Sequence, residues 1–105
     1  MNAWILLILA GCCEIGWPLG LKLAQAGSWR ISGTIMAVIC MAVSGFLLFL
    51  AQRSIPMGTA YAVWTGIGAA GAFISGVLLF GEPLQLMRVA AVALIVTGVI
   101  MLKMA

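Results

Sequence analysis

The sequence has no histidine and very little charge. Of its 105 residues, five are basic and two are acidic, so that charged side chains make up 7% of the chain, against about 25% in soluble domains. The missing histidine excludes a catalytic or metal site built on imidazole. Five scattered basic residues form no cluster for nucleic acid, so we expect no nucleic-acid partner. We see no nucleophile–base pair of the kind that marks an enzyme, and we predict that the chain is not an enzyme and needs no cofactor.

Apolar residues fill most of the chain instead. They make up 66% of it, and the mean hydropathy is +1.30. A chain this short cannot bury so much apolar surface in a water-soluble core, so it belongs in a lipid bilayer. Three polar breaks divide it into four apolar segments, each close to the roughly 20 residues of a spanning helix. We predict one all-α membrane domain over residues 1–105. Its four short transmembrane helices cover about residues 3–22, 31–50, 58–80 and 85–104.

Two features near the N-terminus suggest other chemistry. Leu9 to Cys12, "LAGC", match the pattern at which bacterial lipoprotein signals are lipidated, but such a signal requires a positive n-region, and only "MNA" precedes the apolar run. Adjacent Cys12 and Cys13, together with Cys40, suggest a metal or redox site. All three lie in apolar segments without a CxxC pair, and free cysteine commonly packs as a small hydrophobe. We therefore interpret this segment as a spanning helix and the cysteines as packing residues.

The basic residues are divided almost evenly between the two ends of the helices. Arg53 and Lys103 lie on the side of the termini, and Lys22, Arg30 and Arg88 lie on the other side. This difference is a very weak bias under the positive-inside rule, so the chain could insert in either orientation. Two oppositely inserted copies could then pair as an antiparallel dual-topology homodimer. A solute path is easier to build between two copies than within four short helices.

One carboxylate, Glu14, lies inside the first apolar segment. A charge there is costly unless it is protonated, paired or facing water, and its own helix offers no base at i+3 or i+4, where Trp17 and Pro18 stand. Desolvation favours the protonated form, and the ionised form requires a cation. Competition between a proton and a cation for one carboxylate is the minimal chemistry of an antiporter. The alternative is a permanently protonated Glu14 that only bonds a neighbouring helix.

Aromatic residues accompany this carboxylate. Trp17 lies three residues after Glu14, and Tyr61 and Trp64 lie three apart in the third segment, so each pair shares a helix face. Aromatic faces attract cations, and more strongly when they are desolvated. We therefore predict that these residues line a cation site. The alternative is the interfacial aromatic belt, which the deeper Trp17 and Trp64 fit less well.

Small and polar residues mark the predicted helix contacts. Ser44, in the second segment, could orient Glu14 or bond its own backbone, and Pro18 should kink the first helix. Ala91 and Gly98, seven apart, form a small face on the fourth helix that suits pairing of helices. Glycines of the third segment allow close packing and would also let that helix bend as a gate. These predicted hinge residues are Gly66, Gly68 and Gly71.

The whole chain resembles the small multidrug resistance family, and within it the Gdx-type (SugE-like) guanidinium exporters. The resemblance is carried by "CEIGWPLGLK" around Glu14, "PMGTAYAVWTGIGAAGA" in the third segment, "FGEP" in the third break and "LIVTGVIMLK" at the end. Two residues resemble the guanidinium branch. Thr65 follows Trp64, where the polyaromatic-drug branch typically has Ser, and Trp17 lies three residues after Glu14, where that branch usually has Gly. Four residues depart from the usual pattern: Gly16, Pro18, Gly20 and Ala91.

The resemblance implies a proton-coupled exporter that works as an antiparallel dual-topology homodimer in the bacterial inner (plasma) membrane. Its paired Glu14 carboxylates would bind protons or cation alternately, with Ser44 and Tyr61 bracing Glu14. Carried over by position, the binding residues are Glu14, Trp17, Ser44, Tyr61 and Trp64. The implied partners are guanidinium, substituted guanidinium or quaternary ammonium cations, protons, the lipid bilayer and a second copy of the chain. Two alternatives stay open: a broader exporter of quaternary ammonium or lipophilic cations, and a non-transporting membrane assembly subunit.

Overall fold

The computed structural model describes residues 2–105, which form four helices joined by short connections. The helices are α1 Ala3–Ala24, α2 Arg30–Ala51, α3 Met57–Phe80 and α4 Leu86–Met104. Each is long and apolar enough to cross a membrane, which confirms the predicted all-α membrane fold. α1 continues past Lys22 to Ala24, and the Gln25 N–H still bonds the Leu21 carbonyl at 3.2 Å.

Local residues set the ends of the helices. Asn2 caps α1, because its side-chain oxygen accepts a hydrogen bond of 2.7 Å from the Trp4 N–H. Gly81 ends α3 in the left-handed region, with φ 64°, a conformation that glycine adopts without strain. The reversal brings the Glu82 N–H within 3.1 Å of the Gly76 carbonyl oxygen. The loop after α3 therefore folds back over the last turns of that helix.

α1 is the central helix and packs against both α2 and α3. The backbones of α1 and α2 come close at Gly20 and Gly33, where a Cβ added to Gly20 would lie 2.6 Å from the Gly33 carbonyl oxygen. Small residues allow helix backbones to come this close. One turn earlier, Gly16 faces the sulfur of Cys40, which a Cβ at Gly16 would overlap. Gly16 and Gly20 depart from the family pattern, and both shape the contact between α1 and α2.

α3 lies between α1 and α4 and meets both through glycines. A Cβ at Gly71 would overlap the side chain of Ile15 in α1, and a Cβ at Gly66 would lie 2.5 Å from Cγ2 of Val99 in α4. In this structure the two glycines are contact points within one continuous helix. Tight packing accounts for their small size, and their bending as a gate stays a prediction.

The buried core is small and most apolar side chains face outward. The core centres on the start of α1, the connection between α2 and α3, and the first turns of α3. Its members are Leu7, Ala51, Ile55, Ala60 and Val63. No residue of α4 is buried, and Leu94 in the middle of that helix is 73% exposed. A surface so rich in apolar side chains suits contact with lipid or another membrane helix rather than water.

The three cysteines lie within the helical part of the chain. They are free thiols, with Cys12 exposed and Cys13 and Cys40 partly buried. Within residues 2–105, no group of three His, Cys, Asp or Glu side chains is placed to hold a metal ion. The sulfur of Cys40 packs at the α1–α2 contact, as a small hydrophobic residue would.

Candidate functional site

Glu14 lies partly buried on the side of α1 that meets α3. Its side chain has room there because residue 68 of α3 is glycine. A Cβ at Gly68 would lie 2.6 Å from Cγ of Glu14, well inside the roughly 3.5–4.0 Å of ordinary contact between carbon atoms. The Glu14 side chain therefore occupies space that any larger residue at position 68 would take.

Trp17 holds the carboxylate from the same helix. Its indole Nε1–H donates a hydrogen bond to Oε1 of Glu14. The two residues are three apart, so their side chains lie on one face of α1. A carboxylate has several acceptor positions on its two oxygens, so the remaining positions can serve a bound ligand. Trp17 thus orients Glu14 without exhausting its capacity to accept hydrogen bonds.

A pair of hydrogen bonds through Ser44 joins α1, α2 and α3 close to the carboxylate. Ser44 is fully buried, and its hydroxyl donates to the Ala10 carbonyl of α1 at 2.7 Å. The same oxygen accepts a hydrogen bond of 2.8 Å from the indole Nε1–H of Trp64. Because a hydroxyl has one proton to donate, none is left for Glu14. Ser44 therefore positions Trp64, and the brace expected from it on Glu14 comes from Trp17 instead.

Tyr61 and Trp64 form an aromatic pair one turn apart on α3. Their ring centroids are 5.5 Å apart and their planes are inclined by 47°. Tyr61 is 57% exposed in the single chain. Within residues 2–105, the side-chain hydrogen bond to Glu14 comes from Trp17, so the brace expected from the Tyr61 hydroxyl is not formed here. The Tyr61 ring is instead available to a ligand.

These side chains line one cleft between α1 and α3, with a volume of about 350 Å³. Its walls hold one carboxylate, three aromatic rings and several small side chains, and no basic residue. The wall residues are Glu14, Trp17, Pro18, Tyr61, Trp64, Thr65, Gly68, Ala69 and Ala72. The structure therefore brings four of the five predicted binding residues together around the cleft, with Ser44 behind Trp64.

Sequence reasoning missed part of the α3 wall. Tyr61, Thr65, Gly68 and Ala72 follow one another at intervals of four, three and four residues, which places them on one face of a helix. A helical projection starting from Tyr61 would have identified this face. Gly68, predicted as a hinge, is found here as the position that leaves room for Glu14.

Ala91 and Gly98 lie on α4, away from this cleft. Ala91 is exposed, and a Cβ added to Gly98 would meet no atom within 4 Å. Nothing else in the described chain is therefore packed tightly against that position. Pairing of this face with a second copy of the chain stays a prediction.

The cleft has the composition of a site for a small organic cation. The carboxylate supplies negative charge and hydrogen-bond acceptors, and charge-assisted hydrogen bonds are the strongest that a protein makes. The aromatic rings supply faces that attract cations, with greater strength where water is excluded. In the absence of a basic residue in the wall, a bound cation meets no competing positive charge.

The chain is similar to known proteins over nearly its whole length. A family profile described as "Small Multidrug Resistance protein" matches residues 2–95. A protein of Yersinia pseudotuberculosis serotype I (strain IP32953), named "Guanidinium exporter", is 48% identical over 103 residues, which are 98% of this chain and 98% of that protein. Proteins with the same name from Escherichia coli (strain K12) and Citrobacter freundii are 50% and 47% identical over 102 residues, 97% of this chain and 96% of theirs.

These matches cover nearly the whole chain and include all the residues of the cleft. The named relatives are exporters, which confirms the prediction that the chain is a multi-pass membrane transporter and not an enzyme. The structure has four spanning helices and a carboxylate in an aromatic cleft. The family profile matches residues 2–95, so the chain belongs to the small multidrug resistance family.

Proposed function

We propose that the chain exports guanidinium ion across the bacterial inner membrane in exchange for protons. The observation that carries the proposal is the Glu14 carboxylate, held by Trp17 in an aromatic cleft without a basic side chain. Relatives that share about half of their residues with this chain are named guanidinium exporters, which supports the choice of cation.

Guanidinium fits the groups that the cleft provides. It is planar, and its N–H donors form a fork that matches a carboxylate with two parallel hydrogen bonds. Its flat face stacks on aromatic rings, which Trp17, Tyr61 and Trp64 supply. The cleft of about 350 Å³ also has room for a substituent on the guanidinium, so substituted guanidinium ions belong to the proposed substrates.

Exchange for protons follows from charge balance at Glu14. An ionised carboxylate within a membrane requires a positive partner, and the cleft supplies none of its own. Loading of the cation therefore accompanies release of a proton, and protonation on the other side of the membrane releases the cation. In the proposed dimer the Glu14 carboxylates of the two copies act as a pair, which takes up and releases protons as one coupled unit.

The proposed assembly is an antiparallel homodimer of oppositely inserted copies. The near-even division of basic residues between the two ends of the helices supports insertion in both orientations. The unpacked α4 face at Ala91 and Gly98 supports pairing through that helix. In this assembly, bending of α3 at Gly66, Gly68 and Gly71 would change which side of the membrane the site faces.

A broader exporter of quaternary ammonium cations is the second candidate. The aromatic pair of Tyr61 and Trp64 favours it, because aromatic faces also bind alkylated ammonium ions that donate no hydrogen bond. The two candidates share Glu14 and differ in the cation. They are separated by comparing a small planar cation with a tetraalkylammonium that carries one long alkyl tail.

Transport current from purified protein on a solid-supported membrane tests the proposal. Guanidinium should give a current that Glu14→Gln abolishes, while the control Thr97→Val keeps it, since the Thr97 hydroxyl bonds Ala93 within α4. A comparable current with the tetraalkylammonium would favour the broader exporter. Robust proton-driven export by Glu14→Gln would contradict the mechanism. Absence of current with either cation would favour the interpretation of the chain as a non-transporting membrane assembly subunit.

A further inference from the structure

The chain has only two acidic residues, and both lie along the same groove. Glu14 is in the wall of the cleft described above, and Glu82 is in the wall of a second cleft of about 200 Å³. The two clefts share Pro18 and Ala72. They are therefore consecutive parts of one groove between α1 and α3, with Glu14 inside it and Glu82 at its end.

The turn after α3 holds Glu82 over this end of the groove. The left-handed backbone of Gly81 reverses the chain, and the Glu82 N–H bonds the Gly76 carbonyl oxygen at 3.1 Å. The carboxylate then rests on Gly76, where an added Cβ would lie 2.7 Å from the carboxyl carbon Cδ and 3.2 Å from Oε2. The buried Gly76 thus provides the surface on which the Glu82 carboxylate sits.

Lys22 of α1 lines the same end of the groove and is the basic residue in its wall. It lies eight residues after Glu14, which is about 12 Å along a helix that rises about 1.5 Å per residue. The outer end of the groove therefore carries one charge of each sign, whereas the inner end carries the Glu14 carboxylate and no base. A cation that enters here meets Glu82 and Lys22 before it meets Glu14.

We propose that Glu82 is a capture site for guanidinium at the mouth of the groove, and that Lys22 is a positive charge in the same wall that opposes this capture. This inference rests on the proposed function. Guanidinium offers a carboxylate two parallel hydrogen bonds, whereas the lysine ammonium acts as a compact point charge. Glu82 is exposed, and exposed ion pairs are weak, so the captured ion is held loosely. A loosely held ion can move on to Glu14.

A capture site affects rates rather than the final affinity. Glu82 raises the local concentration of cations at the mouth and so speeds arrival and departure alike, which leaves equilibrium binding at Glu14 unchanged. Removal of Lys22 should instead speed the arrival of cations, because it removes a repelling charge from the wall of the groove. Salt screens exposed charges over about 10 Å at ~0.1 M, so both effects should fade as ionic strength rises.

The experiment compares kcat/KM for guanidinium transport by the full-length reconstituted protein with the equilibrium Kd of the same variants. At low salt, Glu82→Gln should lower kcat/KM by about three- to tenfold, within the range of electrostatic steering, and Lys22→Gln should raise it. Gly76→Ala, which displaces the carboxylate without changing charge, should act like Glu82→Gln. The Kd should stay within about twofold in all three, since each binding free energy changes by less than about 0.4 kcal/mol.

Arg88→Gln is the control for Lys22→Gln, because both variants remove one positive charge. Arg88 follows the same loop, but its guanidinium bonds Gln85 at 3.4 Å and lies outside the wall of the groove. It should leave kcat/KM unchanged. Wild-type kcat/KM in Glu82→Gln, a decrease in Lys22→Gln, or a Kd that changes in step with kcat/KM would each overturn the capture site. If Gly76→Ala folds poorly, Glu82→Gln alone still tests the capture site. Absence of guanidinium current from the wild type would instead refute the proposed function.

Discussion

Glu14 and Gly68 face each other across the α1–α3 contact so closely that a Cβ at position 68 would lie 2.6 Å from Cγ of Glu14. The position of the carboxylate therefore depends on the lack of a side chain on the neighbouring helix. Trp17 fixes it from its own helix, and Ser44 fixes the facing Trp64 ring from α2. The site is thus a product of helix packing, and its sensitivity to small substitutions follows from that.

Replacing Gly68 by alanine should displace the Glu14 carboxylate while leaving every charge in place. Because misplacement of a reacting group by about 1 Å can cost on the order of a hundredfold, we expect kcat/KM for guanidinium transport to fall by about ten- to a hundredfold. Transport current at low substrate concentration measures the loss. Gly45→Ala is the control, since a Cβ there meets nothing within 4 Å. Near-wild-type transport by Gly68→Ala would show that Glu14 needs no such clearance.

Ser44→Ala should weaken both the fold and substrate binding. It removes the hydroxyl that Trp64 bonds at 2.8 Å. A buried donor left without its partner costs about 1–3 kcal/mol, and because Trp64 is partly buried we expect a loss of about 1 kcal/mol. The freed indole should also raise KM. Thermal unfolding in detergent and the KM for guanidinium are the measurements. Thr34→Val removes a hydroxyl that bonds its own helix on an exposed face, and it should change neither quantity. Unchanged stability and KM in Ser44→Ala would contradict a positioning role for Ser44.

Gly20→Ala should destabilise the α1–α2 contact. The added Cβ would lie 2.6 Å from the Gly33 carbonyl oxygen and 2.7 Å from the backbone nitrogen of Ala37. Because these are backbone atoms, the helices themselves must separate, and overpacking of this kind typically costs about 1–3 kcal/mol. The unfolding midpoint should fall accordingly. Gly58→Ala has open space around its Cβ and should keep the wild-type midpoint; equal midpoints in the two variants would mean that α2 yields easily.

The parts of this structure that could be predicted from sequence are those that follow from solvent preference alone. Long apolar runs between polar breaks give the four helices, and a lone carboxylate beside aromatic residues gives the centre of the site at Glu14. The hydrogen bond between Ser44 and Trp64 could not be predicted, because it depends on how far α2 and α3 are rotated about their axes. The contact between the Glu82 carboxylate and Gly76 could not be predicted either, because it depends on the left-handed backbone of Gly81.

Gly98→Leu should reduce dimerisation without affecting the fold of one chain. A Cβ at position 98 meets no atom within 4 Å, so a larger side chain there extends from an unpacked face toward lipid or a second copy. If the α4 faces of two copies pair through Ala91 and Gly98, the leucine separates helices that need small residues for close approach. Energy transfer between differently labelled copies in lipid nanodiscs should fall. The control Thr97→Leu, on another face of α4, should leave energy transfer unchanged. Equal energy transfer in Gly98→Leu and Thr97→Leu would place the dimer interface elsewhere.

Guanidinium binding should weaken as pH falls, because a proton and the cation compete for Glu14. Protonation removes the charge that holds the cation, so below the range in which Glu14 titrates the apparent Kd should rise by about tenfold per pH unit for one competing proton, and by about a hundredfold for a coupled pair. Above that range the Kd should be constant. Titration calorimetry at a series of pH values gives the slope.

The same linkage requires that binding of guanidinium release protons. In two buffers of equal pH but different ionisation enthalpy, the observed heat should therefore differ in proportion to the number of protons released, one for a single Glu14 and two for a fully protonated pair. The loss of both binding and proton release in Glu14→Gln would assign the effect to this carboxylate. If the wild type transports guanidinium with a Kd that is flat from about pH 5 to 9 and a heat independent of buffer, then cation and proton do not share Glu14, and the exchange mechanism is wrong.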